Sequence, residues 1–190
     1  MKATRQEKKE NTKIKIADAA YAVYSKHGFT ASTMMIAKKA NVSHGTIFAH
    51  FPSVEELLSY LINKLGETII EEANNLIGTD ANIQNFLSIH IDILTQHENF
   101  YINLISDRSL LPREAILIFA NIQSTIAFHF SEIITVTHTK NIPLHMMFNT
   151  WLGLVHYYLL NKELFSPKSS VLKRYGNELI SVFLEMIKES

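Results

Sequence analysis

Short polar side chains between positions 43 and 50 carry the clearest chemistry in this sequence. Ser43 and Thr46 have hydroxyl groups that can donate hydrogen bonds to phosphate oxygens. His44 has an imidazole that can bond a base edge, most simply a guanine acceptor if the ring presents an N–H. Gly45 has no side chain, so DNA could come close to the backbone there. These residue types are suited to contact with a DNA groove.

The residues around this cluster predict two short helices joined by a tight turn. One helix spans about 32–40 and the next about 43–50, and each starts at a serine or threonine that can cap it. Asn41 tolerates the left-handed backbone of a turn. The apolar seam between the helices is predicted to hold Ile36, Val42, Ile47 and Phe51. This arrangement is a helix-turn-helix, whose second helix fits the major groove.

Apolar residues recur at helical spacing along the whole chain, which predicts an all-α fold of about nine helices. The first covers about 11–26, and a Ser53–Glu56 capping box starts the fourth. From the fourth onward, the predicted helices span about 53–77, 83–97, 100–107, 112–137, 144–163 and 166–188. Polar breaks near 78–82 and 141–143 interrupt the series.

Charge divides the chain into two parts, although the net charge is zero. Residues 1–52 hold nine Lys/Arg and three Asp/Glu, a balance of +6, and residues 53–190 hold nine against fifteen, a balance of −6. A basic end beside an acidic remainder favours a polyanion-binding head with a different task for the rest. A basic N-terminus that is merely solvated would give the same balance.

Several classes of protein and site are disfavoured by what the sequence lacks. There is no cysteine, so we expect no disulfide framework and no thiolate metal site, as in a reducing cytoplasm. The apolar stretches are interrupted before reaching the roughly 18 residues of a membrane span, so we expect no membrane partner. Motifs typical of nucleotide-binding and hydrolytic enzymes are absent, so we expect no enzyme and no cofactor.

Nine histidines raise the alternative of a metal sensor. His90 and His97 lie seven positions apart, and His129 lies three positions before Glu132. Neither pair completes the three or four ligands of a zinc site, so we predict no metal site.

The stretch from Ile36 to Phe51, IAKKANVSHGTIFAHF, followed by EELL at 55–58, resembles the DNA-binding signature of the TetR family of transcriptional repressors. The resemblance covers about residues 14–61, and the rest of the chain matches only in length and helical rhythm. It implies a DNA-binding head over residues 1–52. It also implies a helical domain for ligand binding and dimerisation over residues 53–190.

The resemblance assigns phosphate contacts to Thr33, Thr46 and His50. It places Met34, His44 and Gly45 at the bases. Together with the residues that border them, the candidate DNA-binding set is Thr33, Met34, Ser43, His44, Gly45, Thr46, Phe48, His50 and Ser53.

The head departs from the family pattern at four places. Phe48 replaces the usual tyrosine, Asn41 the usual turn glycine, and Val54 a lysine that often touches the DNA backbone. The segment before Ile36 is also one residue shorter than usual. Two lost contacts predict weaker phosphate anchoring, which a flexible basic arm before the first helix would offset. The arm comprises Lys2, Arg5, Lys8, Lys9 and Lys13.

Aromatic and apolar residues of the second part give two further candidate sets, with ordinary core packing as the alternative for each. A cavity for a small apolar or aromatic effector is predicted from Phe86, His90, Phe100, Tyr101, Phe119, Phe128, His129 and Trp151. A homodimer through an intermolecular four-helix bundle is predicted from Phe148, Trp151, Val155, Tyr158, Leu172, Tyr175, Leu179, Val182 and Phe183.

The sequence thus favours a cytoplasmic, homodimeric transcriptional repressor that leaves a palindromic double-stranded DNA operator when a small molecule binds its C-terminal domain. Two alternatives stay open. One is an all-α small-molecule-binding protein or enzyme whose N-terminal motif is structural. The other is a regulator that activates transcription or senses a metal.

Overall fold

The computed structural model describes residues 4–77, 82–134 and 142–188, which form ten α helices and one short 3-10 helix. In chain order they are α1 (Arg5–His27), α2 (Thr33–Ala40), α3 (His44–His50), α4 (Val54–Ile77), α5 (Ile83–Gln96), α6 (Glu98–Ser106), the 3-10 helix (Arg108–Leu110), α7 (Arg113–Ile134), α8 (Leu144–Leu160), α9 (Lys162–Phe165) and α10 (Val171–Ile187). The predicted all-α class is confirmed.

Two helix boundaries in the last third differ from the prediction. The predicted helix over 144–163 divides at Asn161, where α8 ends and α9 begins, which raises the count from nine to ten. The last helix begins at Val171 rather than near 166, because the Ser170 hydroxyl caps it by accepting from the Lys173 amide at 3.0 Å. Of the predicted breaks near 78–82 and 141–143, residues 78–81 and 141 lie outside the described residues, as does the predicted helix end near 137.

Packing divides the chain into two units. Unit 1 comprises Met1–Lys64 and Asn99–Ile118, and unit 2 comprises Leu65–Glu98 and Phe119–Ser190. Because α4, α6 and α7 each contribute residues to both units, the division falls inside helices rather than in linkers. The functional boundary predicted at residue 52 remains a prediction.

Helix α1 of unit 1 begins about two turns earlier than predicted. Thr4 and Glu7 form a capping box, in which the Glu7 amide donates to the Thr4 hydroxyl at 3.2 Å and the Thr4 amide donates to the Glu7 carboxylate at 2.7 Å. The predicted flexible basic arm is therefore wrong for four of its five residues. Those inside α1 are Arg5, Lys8, Lys9 and Lys13, and Lys2 lies outside the described residues.

The turn between α2 and α3 has the predicted conformation. Asn41 adopts φ 50° and ψ 52°, the left-handed region that asparagine tolerates better than most residues. Ser43 caps α3 by accepting from the Thr46 amide at 3.2 Å. The seam side chains Ile36, Ile47 and Phe51 are buried and Val42 is half-buried. This packing fixes which residues of α3 face solvent.

Helix α6 is tied to the end of α1 within unit 1. The Asn103 side-chain amide donates to the Tyr24 carbonyl at 2.7 Å, which satisfies a carbonyl in the last turn of α1. Phe100 stacks on Tyr21 with ring centroids 4.6 Å apart and meets Phe29 edge-on at 5.5 Å. The aromatic contacts and the hydrogen bond together fix the position of α6 against α1 in unit 1.

Helices α5 and α10 of unit 2 approach closely at a glycine. A Cβ added at Gly176 would lie 2.6 Å from the Cγ2 atom of Ile91. Because that methyl group branches from Cβ, it cannot move aside without a change of rotamer. The glycine therefore sets how near the two helices come.

A buried carboxylate at the start of α6 fixes the beginning of α10 in unit 2. Glu98 accepts from the Ser170 hydroxyl at 2.5 Å, from the Leu172 amide at 3.1 Å and from the Lys162 ammonium at 2.9 Å. Burial alone would raise the pKa of this carboxyl, but hydrogen bonds from Ser170, Lys162 and the Leu172 amide, with the Lys162 charge, lower it. The carboxylate thus stays ionised and neutralises the positive end of α10.

Among the described residues, α7 is the one helix long and apolar enough to cross a membrane by length and composition. A single such helix is weak evidence, because core helices of soluble proteins pass the same test. Its buried residues, which include Ala115, Phe119, Ile122 and Ile126, recur three or four positions apart, as on a helix that packs along one face. The absence of a membrane partner stays a prediction.

We expect Glu98→Gln to reduce the free energy of unfolding at pH 7 by about 1.5–3 kcal/mol, because the amide cannot replace a charged acceptor of several bonds. A lowered pKa stabilises the fold above the carboxyl's unfolded pKa, and this contribution disappears as the pH falls through the folded pKa. The difference between variant and parent should therefore shrink in acid. Denaturant unfolding at fixed protein concentration measures it.

Glu185→Gln is the matched control, since Glu185 is largely exposed and its contact with Lys188 spans 3.7 Å. Equal effects of the two substitutions, or a Glu98→Gln difference that does not depend on pH, would contradict the role given to the carboxylate.

Candidate functional site

The predicted DNA-binding residues all belong to unit 1 and gather on α2, α3 and the start of α4. Ser43, His44 and Gly45 are exposed, and Met34 keeps 61% of its surface exposed. Nothing lies within 4 Å of where a Cβ of Gly45 would be. A glycine inside a helix costs up to about 1 kcal/mol relative to alanine. Packing within the described chain gives no reason for this one, which leaves room for an outside partner.

Two of the predicted DNA contacts are bonded to each other across the turn. The Thr33 hydroxyl at the start of α2 lies 2.7 Å from Nε2 of His44 at the start of α3. The His44 ring also meets Phe48 edge-on, with centroids 5.1 Å apart and planes at 79°. The imidazole is therefore held on both sides, and Phe48 supports a base-facing residue although it lacks a phosphate-binding hydroxyl.

Ser43 and Thr46 form a second polar pair on the same surface. Their hydroxyl oxygens are 2.7 Å apart, and the Ser43 oxygen also accepts from the Thr46 amide. One hydroxyl donates to the other, so one O–H proton of the pair remains for an outside acceptor. This pair can therefore donate to a phosphate without breaking its internal bonds.

His50 is half-buried at the end of α3, and its buried Nδ1 atom has no hydrogen-bond partner among the described residues. Burying a lone pair without a partner costs less free energy than burying an N–H without an acceptor, so the tautomer with its proton on Nε2 is favoured for a neutral His50 ring.

Ser53 accepts from the Glu56 amide at 3.1 Å, which makes it the cap of α4 and keeps its O–H proton available.

The first two turns of α1 carry a basic face. Arg5, Lys9 and Ile16 follow one another at helical spacing, so the basic face continues the face that is buried further along α1. Lys13 sits 4.7 Å from the Tyr60 ring centroid and 5.6 Å from that of Phe51, a cation–π contact within unit 1. Lys13 is thus partly used to hold α1, whereas Arg5 and Lys9 remain exposed.

Three of the predicted effector residues come together in unit 2. The Trp151 indole N–H donates to Nδ1 of His90 at 3.0 Å, deep in the interior. Phe86 contacts Phe130, and Trp151 contacts Phe183 at 5.3 Å between centroids. Burial, together with the nearby His156, lowers the pKa of His90 to about 4, so the ring is neutral at pH 7.

The other predicted effector residues are distributed differently. Phe100 and Tyr101 belong to unit 1, where both are buried and Phe100 packs on Tyr21. Phe119 and His129 lie on the part of α7 that belongs to unit 2. Phe128 is 57% exposed, so its ring is not enclosed in a cavity. The sequence could not separate these groups, because a single aromatic residue does not reveal which unit buries it.

A groove of about 280 Å³ opens between α5 and α10 of unit 2. It is lined by Gln84, Ser88, Asn177, Ile180, Ser181, Leu184 and Glu185. None of the predicted effector residues lines it, and its polar walls do not match an apolar effector.

Most of the predicted dimer contacts face the interior of their own chain. Six of the nine are buried and cannot form a surface that a second copy touches, so the prediction is wrong for Phe148, Trp151, Val155, Leu172, Leu179 and Phe183. Tyr158 and Tyr175 are half-buried, and Val182 is exposed. The apolar stripes were real, but the described chain uses most of each stripe as core.

A different apolar row lies exposed on α8. Met146, Gly153, Tyr157 and Leu160 are spaced seven, four and three positions apart, so they share one face of the helix. A Cβ at Gly153 would meet nothing within 4 Å. Sequence periodicity had pointed to the opposite, more apolar face. In the sequence, the signal for this face was a glycine spaced at helical intervals from large apolar residues.

No three His, Cys, Asp or Glu side chains of the described residues group as metal ligands. The structural residue that the sequence analysis most clearly missed is Glu98, because its partners lie more than 60 positions away and no local pattern marks them.

A folded pKa of about 4 for His90 and His156, against 6.5 unfolded, means that the unfolded chain gains protons first as pH falls. Stability should therefore decline from pH 6.5 to 4. We expect His90→Gln, whose amide oxygen can still accept from Trp151, to make this decline less steep, while His156 and His97, whose pKa values are also lowered by burial, maintain the remainder. Melting temperatures across this range measure it. Exposed His27→Gln is the control, and a decline unchanged by His90→Gln would contradict the buried neutral ring.

Comparison with known proteins agrees with this geometry. Residues 16–61 match the sequence profile of the family described as bacterial regulatory proteins, tetR family. The chain is 24% identical over 199 residues to the HTH-type transcriptional regulator AcrR of Shigella flexneri, covering 96% of this chain and 92% of that protein.

Solved structures share the fold along nearly the whole chain. The transcriptional regulator FadR from Bacillus subtilis, in complex with stearoyl-CoA, superposes with a TM-score of 0.71 at 19% identity, covering 90% of this chain and 96% of that one. A transcriptional regulator from Saccharomonospora viridis, in complex with choline, gives 0.76 at 15% identity, with coverage of 95% and 100%. The profile match places the similarity to the tetR family of bacterial regulatory proteins in residues 16–61, and the solved structures show that the whole chain shares the fold of transcriptional regulators described as members of that family.

Proposed function

We propose that this chain is a homodimeric, cytoplasmic transcriptional repressor that binds a palindromic DNA operator and leaves it when a small molecule binds in unit 2. The observation that carries the proposal is the exposed polar face of α2 and α3, with unhindered Gly45 at its centre. The internal hydrogen bonds of Ser43, Thr46, Thr33 and His44 leave donors and acceptors facing solvent, and a DNA groove can use them.

The proposed phosphate contacts use the O–H and N–H donors that are not taken up by hydrogen bonds within the head. Phosphate oxygens only accept hydrogen bonds, so each contact needs a donor on the protein. The Ser43–Thr46 pair keeps one O–H, and His50 offers its Nε2–H. The charge balance of +6 over residues 1–52 attracts the polyanion to this part of the chain.

The basic face of α1 has the role in DNA-backbone contact that the sequence analysis assigned to a flexible arm. Because Arg5, Lys8 and Lys9 stand on a capped helix, they are already ordered and lose less entropy on binding than an unstructured arm would. We propose that they contact the DNA backbone and offset the missing hydroxyl at Phe48 and the missing lysine at Val54.

Dimerisation would use the exposed row of α8, with Val182 and Met186 of α10 as further apolar contacts. Single exposed apolar residues are common on monomers, so the row alone decides little. A glycine at its centre costs helix stability, yet it lets a second helix come close, as small residues do at helix–helix contacts. A two-fold dimer presents two heads to half-sites about 34–36 Å apart, or multiples of this spacing.

The effector would enter the aromatic interior of unit 2 around Phe86, His90 and Trp151, as an apolar or aromatic molecule. Stearoyl-CoA and choline on two fold neighbours support small-molecule binding as a class. The rings of this interior contact one another, so a ligand must move them apart and repack the helices that carry them.

Repacking can reach the head because α4, α6 and α7 are continuous helices with residues in both units. To change the DNA-bound fraction from 99:1 to 1:99, the effector must prefer the released form by about 5.5 kcal/mol. An effector that strengthens DNA binding, or one that recruits polymerase, would make the protein an activator instead.

We expect Gly45→Ala to raise the free energy of unfolding by about 0.5–1 kcal/mol, because alanine is the better helix former and its Cβ meets no atom of the chain. The same substitution should weaken operator binding, because the methyl group occupies space the DNA needs. Unfolding and fluorescence anisotropy on one preparation measure both effects. Ser124→Ala on the exposed surface of α7 is the control, expected to stabilise slightly, since alanine is the better helix former, without weakening DNA binding. Unchanged operator affinity in Gly45→Ala would contradict the interface.

We expect Gly153→Lys to convert the dimer into a folded monomer, because a long charged side chain would stand where the second copy packs. Sedimentation equilibrium measures the mass, and circular dichroism checks the fold. Ser124→Lys places the same charge on an exposed site of α7 and serves as the control. A Gly153→Lys dimer as tight as the parent would contradict this surface.

A further inference from the structure

The 2.7 Å bond between Thr33 and His44 links the proton positions of both residues. A neutral imidazole has one N–H and one nitrogen with a lone pair, and a threonine hydroxyl has a single proton. Either the hydroxyl donates to Nε2, which leaves the ring proton on Nδ1, or Nε2–H donates to the hydroxyl, which leaves Nδ1 as an acceptor. In the free protein both arrangements satisfy the bond.

DNA removes this choice if Thr33 contacts a phosphate. The phosphate accepts only, so Thr33 must give it the one proton that the hydroxyl has. The Thr33 oxygen can then bond His44 only as an acceptor, from Nε2–H. The ring proton is held on Nε2, and Nδ1 carries the lone pair.

We propose that Thr33 is a specificity-determining residue: through its bond to Nε2 it makes His44 an acceptor at Nδ1, and the head therefore selects a base with an exocyclic amino group. In the major groove these groups are N6 of adenine and N4 of cytosine. Guanine presents only acceptors there, so the guanine contact expected from the sequence is replaced by an adenine or cytosine contact. The inference rests on the proposed DNA-binding function.

The position of the ring supports this assignment. Phe48 packs edge-on against the imidazole, on the same helix, while Thr33 holds Nε2 from the neighbouring helix. A flip of the ring that brought Nε2 to a base would break the threonine bond. Nδ1 is therefore the ring nitrogen left for the base, and its protonation state decides what it reads.

Thr33→Val tests the proposal, since valine has nearly the same shape but no hydroxyl. Binding is measured on duplexes carrying each of the four bases at the position His44 reads, located by the loss of discrimination in His44→Ala. The parent should prefer adenine or cytosine there over guanine by roughly five- to tenfold, as for one neutral hydrogen bond. Thr33→Val should reduce this preference to about twofold or less, and Thr33→Ser should restore it.

Thr46→Val is the matched control, because it also removes a hydroxyl but one bonded to Ser43 rather than to His44. Both valine variants should lose about one neutral hydrogen bond to a phosphate, seen as a similar loss of affinity on every duplex with little change in the salt slope, because no charge is removed. Only Thr33→Val should change the base preference. A structural role alone would weaken binding to all duplexes equally.

Ring ¹⁵N chemical shifts of His44 in the DNA complex give a second readout that does not depend on affinity. We expect a protonated Nε2 and an unprotonated Nδ1 in the parent, and loss of this fixed state in Thr33→Val. A protonated Nδ1 in a specific complex, or a guanine preference that Thr33→Val leaves unchanged, would overturn the inference alone. Absence of any sequence-specific duplex binding by the parent would overturn the proposed function, and this inference with it.

Discussion

The packing of α3 on α2 across the left-handed turn at Asn41 is the constraint on which the head depends. With Ile36, Ile47 and Phe51 buried in the seam, the rotation of α3 about its axis is fixed. Rotating α3 about its axis by one residue, about 100°, would bury polar side chains and expose Ile47, which would cost a few kcal/mol of folding free energy. The polar groups therefore reach solvent as a set, already placed before any partner arrives.

The same principle decides what the second unit can do. Its apolar helices bury one face in their own core, and only the residues left outside that core can contact a second protein chain without repacking. Trp151 and Phe183 belong to the core, whereas Tyr157 and Leu160 remain outside. The buried Trp151–His90 hydrogen bond adds a polar link to an aromatic interior. A ligand that enters there meets a neutral imidazole rather than a charge, which favours an apolar effector.

Local signals were predictable from the sequence, and long-range ones were not. Asn41, the Ser43 cap and the seam residues follow from neighbours a few positions away, so sequence reasoning placed them. The Thr4–Glu7 capping box is equally local, so the early start of α1 in place of a flexible arm is also predictable from the sequence. Glu98 and Ser170 meet only because the fold brings them together. Periodicity located the apolar stripes, but it could not show which of their residues are buried in the core of the same chain.

The proposed function requires that this protein binds DNA through the exposed face of α2 and α3 and releases the DNA when an effector binds. Footprinting on the DNA that flanks its own gene, with the wild-type protein over a range of salt, tests the claim most directly. The account predicts a two-fold symmetric footprint whose binding constant falls steeply with salt, with a slope of log K against log salt concentration of about −0.9 for each phosphate neutralised. It also predicts that one of a set of apolar ligands removes the footprint. Protection that is absent at every salt concentration, or equal on unrelated DNA, would contradict it.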